Sequence, residues 1–184
     1  MRTIKVWHVA LAAGLLAVPT AVPSAAAAGD SKVLGTDAEN DAPPGADLVA
    51  LHAAQKGRDL HVRIVLSLIP GLGSYPEAGI QWSFSSRGRT FAVEAHQEAP
   101  GEYGYTLYEV IAGAYKVISP VEGVMGDNGF DITVPLSSIG ASKGTVIKGA
   151  PLDSALGDVE MHQHANAASR VLDDFQTTKT FKVR

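Results

Sequence analysis

The sequence predicts an all-β protein, an antiparallel β-sandwich of immunoglobulin-like or jelly-roll type with room for one short helical turn. Apolar residues recur at every second position in several segments. Gly, Pro and Asn interrupt these segments at short intervals, and no stretch carries the period of a long amphipathic helix. About seven to nine short strands follow. Their spacing also fits a closed barrel, because spacing alone does not count sheets.

Leu48 to Ala54 and "DLHVRIVLSL" flank the turn "QKGR". Leu60, Val62, Ile64 and Leu66 share one face and His61 and Arg63 the other, which predicts a hairpin with one buried side. "IPGLGSYPEAG" is a loop by its Pro and Gly content. A second hairpin sets Ile80, Trp82 and Phe84 against Phe91, Val93 and Ala95 across the turn "SRGR". "EYGYTLYEVIAGAYKVIS" is rich in β-favouring Tyr, Val and Ile, with Gly104 and Gly113 as places where it divides into two strands. "GDNGFDITVPL" joins an Asn-Gly turn to a strand with Phe130, Ile132 and Val134 on one side. "SSIGASKG" is a tight connection or one helical turn, and "TVIKGAPL" adds a short strand. Asp153 to Arg170 has no firm period and reads as a loop with space for a short helix; "TTKTFKVR" reads as a last strand.

Residues 1–28 have the layout of a secretory signal peptide. Arg2 and Lys5 precede the apolar "VWHVALAAGLLAV", and an Ala-rich end offers Ala26-x-Ala28 for cleavage before Gly29. The apolar centre is shorter than the ~20 residues a transmembrane span needs. The expectation is a secreted, extracellular protein without a transmembrane anchor, divided into the signal, an acidic lead-in over 29–46 and one sandwich domain over 47–184. Loss of Arg2 and Lys5 leaves 13 basic against 19 acidic residues, a net charge of −6. That balance argues against a nucleic-acid partner. The chain has no Cys, hence no disulfide, thiol nucleophile or Cys-based zinc site.

"TDAENDAPPGADLVAL" gathers Asp37, Glu39, Asp41 and Asp47 around a Pro-Pro-Gly turn. Calcium takes six to eight oxygen ligands, which alternating acids followed by a returning Asp can supply. Asp37, Asp41 and Asp47 are therefore the candidate metal ligands. The same residues also suit a hydrated lead-in whose acids serve solubility. "EMHQH" places Glu160, His162 and His164 on one side of any strand, a metal-ligand spacing that would serve a small secreted metal-dependent enzyme; two exposed loop histidines are the alternative. No G-x-S-x-G and no phosphate-binding Gly-rich loop occurs. The sequence thus favours a non-catalytic protein. Trp82 shares its face with Ile80 and Phe84 and belongs to the core, as do Tyr103 and Tyr105 beside Leu107. Tyr108 lies opposite them and is the candidate ligand-binding ring.

The order of these features resembles secreted bacterial domains of the DOMON superfamily and the family 9 carbohydrate-binding modules. The opening "TDAENDAPPGADLVAL" is similar to their D-x-x-x-D, turn, D-[IL] start. "GRDLHVRIVL" matches their second strand, "FDITVPLSSIGASKGTVI" a late strand, turn and strand, and "LDDF" the stretch before the last strand. The resemblance implies a non-catalytic module for carbohydrate or another ligand, with a glycan, a cell-envelope component or a protein as partner. In some relatives calcium sits where the first and last strands meet. Carried onto this chain, that implies Asp37, Asp41 and Asp47, with Asp173 or Asp174 as a distant ligand. No Met and His pair matches the heme-ligand positions of redox-active DOMON domains, and the paired-Trp clamp of family 9 modules is not evident. A structural envelope protein without a small ligand is the further class to weigh.

Overall fold

The computed structural model describes residues 31–38, 41–42, 46–67, 78–99, 101–153, 156–165 and 168–184. The segment read as a signal peptide, Glu39, the Pro-Pro-Gly sequence and most of "IPGLGSYPEAG" lie outside them. In chain order the first strands are β1 (Lys32–Thr36), β2 (Leu48–Lys56), β3 (Asp59–Leu66), β4 (Ala78–Ser86), β5 (Arg89–Ala99) and β6 (Glu102–Ile111). Then come β7 (Ala114–Pro120), β8 (Glu122–Gly126), β9 (Gly129–Pro135), β10 (Val146–Gly149), β11 (Val159–Ala165), β12 (Ala168–Phe175) and β13 (Phe181–Lys182). Among the described residues there is no helix; Leu136–Gly140, where a helical turn had room to form, is a run of turns.

Two antiparallel sheets pack together as a sandwich. The smaller has the order β1-β2-β3-β9-β8. The larger runs β12-β11-β4-β5-β6-β7, and β10 joins it at β4 and carries β13 on its far side. β4 therefore shares its outer edge between two strands: β11 lies along Ala78 to Trp82 and β10 along Phe84 to Ser86.

Period-two patterning explains the inner faces. Leu60, Val62, Ile64 and Leu66 of β3 are buried while His61 and Arg63 between them are only half-buried, as the alternation requires. Phe130, Ile132 and Val134 of β9 lie directly beside them. Across the core, Trp82 stacks on Phe84 with ring centroids 4.4 Å apart, and Phe84 on Phe91 at 5.8 Å. Such ring pairs add about 0.5–1.5 kcal/mol beyond the area they bury.

Burying Trp82 also buries its indole N–H, which needs an acceptor. Asp158, itself buried, supplies one: Oδ2 accepts from Trp82 Nε1 at 3.2 Å and from the Thr177 hydroxyl, while Oδ1 accepts from the Thr177 N–H at 2.6 Å. A core aromatic, the start of β11 and the segment after β12 are thereby held by one carboxylate.

Two features depart from the sequence reading. Asp153 to Arg170, expected as a loop, contains β11 and the start of β12. Its apolar alternation is broken because buried positions carry Asp158 and His162 as well as Val159 and Met161. The 29–46 segment, expected as a lead-in, contains β1, which pairs with β2 and whose Leu34 is fully buried. The hairpin between β8 and β9 turns on Asp127 and Asn128, with Gly129 already in the strand. A Cβ at Gly129 would lie 2.1 Å from the Ile64 carbonyl oxygen, so this glycine serves close packing of β9 on β3.

Candidate cation site and the outer face of the larger sheet

β1 ends at Thr36 and delivers Asp37 to the start of β2, where its N–H donates to the Val49 carbonyl at 2.9 Å. β12 passes the same junction, and Oδ2 of Asp173 accepts the Leu48 N–H at 2.6 Å. One carboxylate oxygen each from Asp37, Asp41 and Asp173 then fall within 4.8 Å of one another. Asp37 Oδ1 accepts the Ala38 N–H, whereas its Oδ2 is shielded from solvent and has no hydrogen-bond partner among the described residues.

Repulsion follows from this convergence. Burial pushes the Asp37 carboxyl up against the pull of the Ala38 N–H, and Asp41, Asp174 and Asp47 push it further. Burial raises Asp173 to about 6, with Asp37 and Asp41 adding to it against the Leu48 and Asp174 N–H groups. A hard cation offsets the burial of these carboxylates and cancels their repulsion, and an all-carboxylate donor set suits calcium or magnesium rather than zinc. The orphaned Asp37 oxygen fits such an ion, which Asp37, Asp41 and Asp173 would hold.

Asp37 and Asp41, expected from the sequence, are thus brought together, and the third oxygen comes from Asp173, the distant residue that the resemblance implied. Asp47 stands beside the set, buried, with its carbonyl accepting from Ser67 N–H at 3.0 Å. Asp174 turns instead to the Gly157 N–H. Only the meeting of β12 with β2 joins Asp173 to the acidic segment, and no local signal in the sequence encodes that meeting.

The outer face of the larger sheet holds a second polar group. Glu160 of β11 lies across from Gln81 of β4, and Gln81 from Glu94 of β5. His162 Nε2 is 3.2 Å from Glu94 Oε1 and its Nδ1 is 3.8 Å from Glu160 Oε1, so the ring sits between two carboxylates. Room for this comes from Gly79, where a Cβ would meet His162 Nε2 at 2.5 Å and Glu94 Oε1 at 2.7 Å. Gln81 donates through Nε2 to Glu160 and accepts from the Tyr115 hydroxyl at 3.2 Å. β7 and β4 are three strands apart, about 14 Å at ~4.8 Å per strand, so Tyr115 lies across the face.

These groups divide electrostatically. Burial pushes Glu94 up, yet the hydrogen bond and charge of His162 outweigh it, with help from His96 and Tyr108, and hold it below the usual carboxylate range. Burial raises Glu160, and Asp174, Glu94 and Asp153 add to that against His162.

Glu160 and His162 therefore do share a face, on a strand that the sequence did not reveal. The side chain of His164 lies outside the described residues. Among those residues the group of three metal-ligating side chains that converges is the Asp37, Asp41 and Asp173 set. Sequence reasoning missed Glu94, which the alternation of β5 placed opposite Phe91, Val93 and Ala95 but could not set beside His162. Tyr108 is half-buried; its ring meets Tyr115 edge-on at 5.5 Å, and Tyr115 is 46 % exposed. No family model, curated protein or solved structure matches this chain.

Proposed function

We propose that this chain is a secreted, non-catalytic binding module of the DOMON-like and family 9 kind, which takes a glycan or envelope component on the outer face of its larger sheet. The supporting observation is the Tyr108 and Tyr115 pair. Tyr115 offers a half-open ring whose hydroxyl is anchored on Gln81, and hydrogen-bonding groups flank it on Gln81, Glu94 and Glu160. An apolar plate edged by fixed polar groups suits a sugar ring, whose C–H faces are apolar and whose rim is hydroxyl. A structural calcium at Asp37, Asp41 and Asp173 would fix the strand junction without contacting the ligand.

Affinity electrophoresis through gels containing neutral polysaccharides tests the reading. The intact protein is retarded, and Tyr115→Ala loses the retardation while keeping its unfolding midpoint. Equal mobility of the intact protein and Tyr115→Ala in every gel removes the glycan reading.

A further inference from the structure

A groove of about 790 Å³ opens where β4 turns into β5 and β10 begins. Ser85 and Arg87 come from the hairpin, Lys148 from β10, and Ser142, Lys143 and Thr145 from the loop before it. β10 pairs with β4 here, with Lys148 opposite Ser85, so strand pairing fixes one wall against the other. Thr145 Oγ1 accepts the Ser142 N–H at 3.0 Å and the Thr145 N–H donates back to the Ser142 carbonyl, which closes the loop that carries Lys143. A neighbouring cavity shares Lys143 and adds Lys32, Lys182 and Arg184.

Six of the chain's 15 Lys and Arg residues thus line two adjoining cavities, and none of the lining residues is acidic. The side chains of Lys143 and Lys148 make no ion pair or hydrogen bond among the described residues, and both residues are exposed. Arg87 stands in the left-handed region, φ 51°, at a turn position where Gly or Asn is the ordinary choice. The acidic junction does not cancel this charge. Lys32 and Asp37 lie at opposite ends of β1, roughly 17 Å apart at ~3.3 Å per residue, against a screening length of about 8 Å at physiological salt.

We propose that this groove binds an acidic polysaccharide, with Arg87, Lys143 and Lys148 taking its carboxylates and Ser85, Ser142 and Thr145 its hydroxyls. Its concave shape does not match the plane of a bilayer. Its lining holds no aromatic ring on which a nucleic-acid base could stack. Alternating cations and hydroxyls complement a polymer that carries both anions and hydroxyls. The groove shares the outer face of the larger sheet with Tyr115 but occupies its far part, with Ser85 three strands from Tyr115, about 14 Å at ~4.8 Å per strand, and goes beyond the function proposed above.

Affinity electrophoresis through gels containing hyaluronate, at low and at high salt, decides it. The intact protein is retarded at low salt and released at high salt. A Lys143→Gln, Lys148→Gln double variant binds about tenfold more weakly, the scale of losing two exposed charge contacts. Arg87→Gly weakens binding while leaving the unfolding midpoint equal or higher, and Tyr115→Ala changes nothing, which separates this groove from the tyrosine pair. Absence of retardation overturns the proposal, as does unchanged retardation of a folded double variant. Retardation that Tyr115→Ala abolishes assigns the binding to the tyrosine pair and overturns it too. If poly(U) is retarded more strongly through the same lysines, the ligand is nucleic acid and the assignment to polysaccharide falls.

Discussion

The N–H of Leu48 donates to Oδ2 of Asp173 over 2.6 Å, linking the first residue of β2 to a strand 125 residues later. That bond brings a third carboxylate to Asp37 and Asp41, so one contact both closes the sandwich and concentrates negative charge.

Calcium should raise the midpoint of thermal unfolding. A cation that binds only the folded state contributes about 2.7 kcal/mol at a hundredfold excess over its Kd, or roughly 5–10 °C for a domain of this size. Asp173→Asn removes the response. An identical midpoint in calcium and in chelator, measured by calorimetry, would falsify the site.

In chelator the dependence on pH has the reverse sign to the usual carboxylate. Asp173 titrates at about 6 in the folded chain and near 3.9 when unfolded. Its protonated form therefore favours the fold: this contribution is complete below about pH 4 and is lost as pH rises through about 6. Asp173→Asn should be the more stable protein at pH 7 in chelator, with the difference shrinking as pH falls towards 4. Saturating calcium reverses the order. Parallel midpoint curves for the two proteins in chelator would contradict this.

Gly79→Ala should destabilise by about 1–3 kcal/mol, because the added methyl collides with both His162 and Glu94. Removing the His162 ring as well opens the space, so the Gly79→Ala, His162→Ala double variant should lose less than the sum of the single changes. Additive losses in urea would show that the pair is not what the methyl disturbs.

Asp158→Ala strands the Trp82 indole N–H in the interior and takes the acceptor from both donors of the half-buried Thr177. A loss of about 3 kcal/mol or more is expected, and Asp158→Asn, which keeps one acceptor in place, should lose less. Trp82 reports the change directly: the chain's other tryptophan, Trp7, lies in the segment read as a signal peptide. Fluorescence-monitored unfolding that ranks the two variants the other way would reject the clamp.

Ala112, φ 51°, precedes Gly113 in the turn between β6 and β7 and carries a side chain in the left-handed region. Ala112→Gly relieves that conformation at the cost of a freer unfolded chain, for a net gain of about 0.5 kcal/mol. A lower denaturant midpoint in the variant would refute the accounting.

What the sequence reveals and conceals divides along a physical line. Hairpins β2–β3 and β4–β5 and the division of β6 from β7 at Gly113 are legible, because each pairs neighbouring segments across a short turn with apolar residues on one side. β11 and β12 are not, since Asp158 and His162 occupy buried positions and their partners lie on distant strands. The candidate cation site is half legible for the same reason. Asp37 and Asp41 stand close in the chain, whereas Asp173 arrives through strand packing. Glu94 shows the limit most plainly: its outward position follows from alternation, but its burial depends on Tyr108 and His162 reaching over from other strands.

The divided edge of β4 sets an order of assembly. β4 to β7 can zip together as soon as those residues leave the ribosome, but the strands that close β4 lie at Val146–Gly149 and Val159–Ala165. Until they emerge, a nine-residue strand carrying Ile80, Trp82 and Phe84 stands with unpaired backbone groups, a template for pairing with other chains. An exported chain kept unfolded until it has crossed the membrane would present β4 and its late partners together, so the protein's hazard of misassembly is greatest where synthesis and folding overlap.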